Sequence, residues 1–178
     1  CTSSTRPASP FEGQVIYETD TNRVLVWEGS AWVMIADTDS PPGLELVKTQ
    51  TIGTTVSSVE VTSAFSSSYD QYLITVSGGT ASTSNAMTLK LGSTTTGYYE
   101  GRPGVLYSTG GFLGNVTSNG SLFYIGQYTT TGIFAHCILS NPYLATETRH
   151  FSQYYSDTNQ ANYSQGVLNN TTQYTSFT

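Results

Sequence analysis

Charge is what this chain has least of. Lys, Arg, Asp and Glu make up 10% of 178 residues, six cations against twelve anions, for a net charge of −6. No basic stripe forms, which argues against direct nucleic-acid binding, because phosphate neutralisation needs clustered Lys and Arg. No apolar run approaches the roughly 18 residues of a membrane-spanning helix, no signal-peptide pattern is visible, and no stretch has the period of an amphipathic helix. Histidine and cysteine number two each, without zinc-ligand spacing. A Gly-x-Ser-x-Gly elbow is missing, and Gly101–Gly104 and Gly110-Gly111 lack the Lys-Ser/Thr of a phosphate loop. These absences predict a chain that is not an enzyme and takes no cofactor.

What the chain has instead is Ser, Thr, Gly, Asn and Tyr, with aromatics at 12%. Aromatics at that level and regular apolar alternation exclude a disordered chain, and short alternating segments between polar turns predict an all-β protein. The clearest pattern is Phe11–Ile35, which reads as strands Gln14–Glu18, Val24–Glu28 and Ala31–Ile35. Asn22 ends the first turn, because Asn tolerates the left-handed conformation, and Gly29 serves the second. Val15/Tyr17, Val24/Val26 and Trp32/Met34 are expected on one face, and Ile16, Leu25, Trp27, Val33 and Ile35 on the other. So small a ribbon cannot cover both faces. Copies wound around a symmetry axis would cover one, with Ile16, Leu25, Trp27, Trp32, Val33 and Ile35 at the interface.

The run Arg6-Pro7-Ala8-Ser9-Pro10-Phe11-Glu12-Gly13-Gln14, then Ile16–Asp20, then Val26-Trp27-Glu28-Gly29-Ser30-Ala31-Trp32, resembles the neck module of phage fibre and minor tail proteins. The resemblance covers about 25 residues strongly. It implies a virion protein exposed on tail or capsid, a homotrimer whose N-terminal side joins other virion proteins, and a β head that touches a host-surface glycan or protein.

The expected division is a Ser/Thr/Pro-rich tether at 1–10, the neck at 11–35, a linker at 36–43 and a head at 44–178. The linker's Asp37-x-Asp39 lacks the Gly and terminal Glu of a calcium loop. Head strands are expected at Leu44–Ile52, Val59–Phe65, Tyr69–Val76, Met87–Leu91, Leu122–Ile125, Ile133–Leu139, Thr148–Tyr155, Asn162–Leu168 and Tyr174–Thr178, with Gly92–Gly120 rich in loops. Such spacing predicts an antiparallel sandwich. Tyr69-Asp70-x-Tyr72 and the strand closed by Asn141-Pro142 resemble jelly-roll heads that follow such necks. Those heads often end in another Gly-rich strand, so either this one continues past Thr178 or it differs.

Cys137 reads as a buried thiol and a Cys1–Cys137 disulfide as implausible. Cys1 in place of Met reads as a start partway along a longer protein or as a processed end, with a lipidated Cys as one form of processing. His136 reads as interior or interfacial and His150 as a surface residue. Glu100, Glu147 and Asp157 lie in or near expected loops. Asn115, Asn119, Asn162, Asn169 and Asn170 begin Asn-x-Ser/Thr triplets, which mark polar loops rather than glycans in a bacterial virus.

Binding is best suggested by aromatic residues among small polar ones: Tyr98, Tyr99, Tyr107, Phe112, Tyr128, Tyr143, Tyr154 and Tyr155. Tyrosine offers a rigid contact at low entropic cost, although such rings also fill cores and interfaces. Tyr98, Tyr99, Arg102, Tyr107, Phe112 and Tyr128 are the candidate receptor contacts, with Arg102 between Tyr99 and Tyr107. The expected function is a tail fibre or knob that binds a host-surface glycan. A capsid decoration or head-fibre protein is the first alternative, and a free or lipid-anchored lectin the second.

Overall fold

A computed structural model describes residues 1–38, 43–156 and 160–178, with only the backbone defined at Tyr155 and Ser156. Asp39, Pro41-Pro42 and Asp157 lie outside the described residues. The chain divides into two compact units, 1–49 and 50–178. Both are all-β and antiparallel.

The first unit is a three-stranded sheet of β1 (Val15–Glu18), β2 (Arg23–Trp27) and β3 (Trp32–Asp37). Asn22 adopts φ 52° and Gly29 φ 92°, so both turns form where the sequence places them. The register corrects the expected faces. Val15 lies opposite Val26 and Val26 opposite Val33, while Ile16 lies opposite Leu25 and Leu25 opposite Met34. Residues directly opposite share a face. Trp27 opposite Trp32 therefore joins Leu25, with their rings 5.5 Å apart. Val33 and Ile35 fall on the other side, so the predicted interface set is divided between two faces. The four-residue turn 28–31 imposes this parity.

Residues 1–10 bond back to the ribbon. The Thr19 N–H donates to the Cys1 carbonyl (2.9 Å) and the Ser3 hydroxyl to Asp20 (2.6 Å). Arg6 pairs with Glu18, which is buried and also accepts from Thr21 (2.7 Å). The hydrogen bond from Arg6 holds the Glu18 carboxyl below its usual range.

The larger unit contains β4 (Gln71–Ser77), β5 (Asn85–Leu89), β6 (Tyr98–Leu106), β7 (Phe112–Gly120), β8 (Phe123–Tyr128), β9 (Ile133–Ser140), β10 (Thr148–Ser156) and β11 (Gln160–Leu168). They form one eight-stranded sheet in the order β5-β8-β9-β10-β11-β6-β7, with β4 also on β9. The sheet curls. β8 and β10 are separated by β9 in that order, yet Phe123 of β8 meets His150 of β10 at 4.1 Å between ring centres. The result is sandwich-like, with an inner face that closes on itself.

Leu44–Ile52 is not a strand, and Leu44 and Leu46 are 87% and 80% exposed. Val59–Phe65 and Tyr174–Thr178 contribute only isolated bridges, Val61 to Phe177 and Leu91 to Phe177. Within them, Ala64, Phe65 and Tyr174 are buried in the core. Gly92–Gly120 holds two nine-residue strands, β6 and β7. Glycine and proline hid them. β6 pairs with β11 at Gly104 and again at Gly101, and Arg102 and Pro103 between them skip the ladder. A proline has no N–H to give, so the strand passes it without losing register.

Candidate binding site

The inner face of the curled sheet changes character along its length. At one end Tyr98, Phe123, Leu89, Leu91, Leu139 and Leu168 are fully buried. Tyr98 meets Phe123 edge-on at 4.8 Å. Its hydroxyl accepts from the Leu91 N–H (2.9 Å) and donates to the Thr94 carbonyl (3.3 Å). Burial pushes this phenol up to about 12.

Two residues further along β6 comes Glu100, its side chain 2% exposed. Its Oε2 accepts from the Tyr124 N–H (2.8 Å) and the Ser164 hydroxyl (3.3 Å), and its Oε1 from Thr117 (3.4 Å). Opposite it in the ladder is Gly166, where a Cβ would lie 2.3 Å from the Tyr99 carbonyl oxygen and 2.7 Å from Glu100 Cβ. Only glycine lets β11 pass Glu100 that closely. Burial raises the Glu100 carboxyl above its usual range, against the opposing hydrogen bond from Tyr124 and charge of Arg102.

Arg102 follows, two residues on. Its Nε lies 3.4 Å from Glu100 Oε1, near enough to pair but misaligned for a hydrogen bond. Its guanidinium stacks 4.7 Å above the Tyr124 ring. Tyr124 in turn meets Tyr154 of β10 at 5.2 Å. Phe123 and Tyr124 pair in succession with Leu89 and Thr88 of β5. The Tyr124 N–H, on the other edge of β8, donates to Glu100, so that edge faces the sheet and the rings on either side of it both reach β10.

His150, expected on the surface, is buried: burial lowers its pKa to about 4, and its side chain is 0% exposed. Its Nε2 lies 3.1 Å from Ser164 Oγ and 3.9 Å from Glu100 Oε2. A proton on Nε2 gives a chain from His150 to Ser164 to Glu100. This is not the relay of a serine hydrolase, in which the acid holds Nδ1 and the serine faces Nε2. Here both crowd Nε2, and among the described residues no carboxylate bonds Nδ1. The cluster's chemistry is to fix β8 on β6, β10 and β11 through buried hydrogen bonds.

Beyond this cluster the inner face opens into a recess of about 120 Å³, lined by Arg102, Asn115, Tyr124, Gln127, Tyr154 and Asn162. A shallow depression of about 340 Å³ crosses the outer face between Tyr99, Val116 and Gln165.

Of the candidate contacts, Tyr98 belongs to the core and not to a loop. Tyr99 is 38% exposed and lies on the outer face, away from Arg102. Tyr107 and Phe112, 59% and 89% exposed, flank the β6–β7 turn. Tyr128 is half-buried at the end of β8. Only Arg102 lines the recess, and its aromatic neighbour is Tyr124. Glu147 pairs with Arg149 (3.3 Å) while Glu100 faces inward. Asn162, which opens the expected strand Asn162–Leu168 and begins one of the Asn-x-Ser/Thr triplets, is buried on β11. His136 is half-buried on the outer side of β9. Cys1 and Cys137 are free thiols, and burial pushes Cys137 up to about 11.

Sequence reasoning missed Tyr124, Gln127 and Ser164. The available signal was two-residue alternation of polar groups: Glu100/Arg102, His150/Ser152/Tyr154 and Asn162/Ser164. On a single strand that pattern reads as a solvent face. No family model, curated protein or solved structure matches the chain. Among the described residues no group of three or more His, Cys, Asp or Glu could hold a metal, and no helix is long and apolar enough to cross a membrane.

Proposed function

We propose that this chain is a virion protein of the phage-fibre type, with a trimerising ribbon neck and a jelly-roll-like head that adheres to a host-surface glycan. The observation that carries the reading is the ribbon at 11–35. The motif that resembles fibre necks folds as a separate three-stranded sheet. It leaves Val15, Val33 and Ile35 exposed at 57%, 39% and 58%. Apolar side chains presented by so small a sheet favour burial against copies of the same surface. Three heads on one stem would multiply weak contacts into avidity.

Antibody raised against the chain should label the tail tip of intact virions by immunogold microscopy. Label over the capsid would move the role to decoration or a head fibre, and no virion label would overturn the proposal. Light scattering should give three chain masses. Val33→Asp should reduce that to one, since an ionised carboxylate opposes burial of the face that Val33 shares with Val15 and Ile35. A variant that stays trimeric removes the ribbon as the assembly element.

A further inference from the structure

We propose that the recess between Arg102, Tyr124, Tyr154 and Asn162 binds a single neutral sugar ring of a surface glycan; this assigns a site within the adhesive reading above and rests on it.

Polar groups from five strands converge there. Arg102 comes from β6, Asn115 from β7, Tyr124 and Gln127 from β8, Tyr154 from β10 and Asn162 from β11. Convergence of a few polar groups in a concave site is how ligand orientation is set. Half of these groups are amides, and each amide carries both a donor and an acceptor. A sugar hydroxyl likewise donates and accepts, so vicinal hydroxyls match adjacent amides. Tyr124 and Tyr154 add phenol rings inclined at 44°, which suit the C–H face of a pyranose.

Charge selects a neutral ring over an acidic one. The Arg102 guanidinium has Glu100 at its back and Tyr124 beneath it. Its charge is thus shared with a buried carboxylate, and the chain's net −6 disfavours anions further. At about 120 Å³, the recess is well below the roughly 300 Å³ at which drug-sized sites begin. It holds one ring, not an oligosaccharide.

The backbone is shaped around the site. A Cβ on Gly104 would sit 2.3 Å from Asn162 Oδ1. The missing side chain leaves room for the Asn162 amide, itself 8% exposed, to lie across β6 at the recess wall.

The test is saturation-transfer NMR on the full 178-residue chain with methyl glycosides of glucose, galactose, mannose and N-acetylglucosamine, and with sialic acid. At least one neutral glycoside should bind. Asn115→Ala with Gln127→Ala should weaken it about tenfold, the effect of one or two lost hydrogen bonds. Asn115→Ala alone, at an exposed position on an edge strand, gives a several-fold loss should the double variant unfold. Arg149→Ala removes a guanidinium on the outer side of the sheet and should bind like the parent. Binding of sialic acid alone overturns the neutral-ring assignment. Normal binding by the recess variants, with loss in Tyr107→Ala and Phe112→Ala, overturns the site. Virion label with no sugar binding overturns the recess and leaves the fibre reading standing. Sugar binding without virion label keeps the site and removes the fibre.

Discussion

Tyr98 and Arg102 lie four residues apart on one strand and on one face, yet they inhabit different media. Around Tyr98 the inner face is dry, ring on ring, with the Tyr98 hydroxyl satisfied by backbone. Around Arg102 it is polar: Glu100 accepts hydrogen bonds from β7, β8 and β11, and the Arg102 guanidinium lies over Tyr124 of β8. Glu100 is the boundary between them: buried like the core, hydrogen-bonded like the site. A curled sheet can thus build core and recess from the same strands, because successive inward residues step from the closed end towards the open one.

Removing bulk from the dry end should have the largest effect. Phe123→Ala takes a fully buried ring from between Tyr98 and His150. It should destabilise the unit by about 3–5 kcal/mol in denaturant unfolding. A smaller loss would mean that the dry end is looser than its burial implies.

Acid should break the boundary next. The unfolded His150 imidazole binds a proton near pH 6.5, and the buried one only near about 4. The unfolded chain therefore holds more protons across that window. The His150 contribution is fully present above pH 6.5 and lost as pH falls through about 4, by up to about 3 kcal/mol. Glu100 acts in the opposite sense, because its raised carboxyl makes protonation favour the fold. His150→Gln should flatten the measured pH–stability profile between those limits; an unchanged profile would remove His150 as the acid-sensitive group.

Gly166→Ala should cost about 1–3 kcal/mol by overpacking, because the added methyl meets backbone and Glu100. Gly101→Ala, one strand over, has nothing within 4 Å and should stay within about 0.5 kcal/mol. Equal melting shifts for the two would show that β6 and β11 can separate around Glu100. The smallest effect is expected outside both ends: Phe112→Ser, at 89% exposure, should move stability by less than about 0.5 kcal/mol.

Most of the strands were legible wherever alternation was strong. β4, β8, β9 and β10 lie close to their expected places, and the ribbon's turns formed at Asn22 and Gly29. Two kinds of segment misled. Leu44–Ile52 is apolar enough for a strand but joins no ladder among the described residues, because propensity alone does not supply a neighbouring strand. β6 and β7 carry Gly, Pro and Asn, which lower propensity, but each has a neighbouring strand that offsets it. For the site, Arg102 and Glu100 were noticed individually. Tyr124, which meets both, and Ser164 and His150, which meet Glu100, come from strands 22 to 64 residues away, so spacing held no trace of them.

The sequence by itself determined that this is an all-β chain, with a short ribbon preceding a larger strand-rich unit, because two-residue alternation and turn residues are local properties. Tertiary structure alone decided which side of each strand is inside. A polar alternating face reads the same whether it meets water or another polar face, and only the curl of the sheet brings Glu100, His150, Ser164 and Tyr124 together out of solvent.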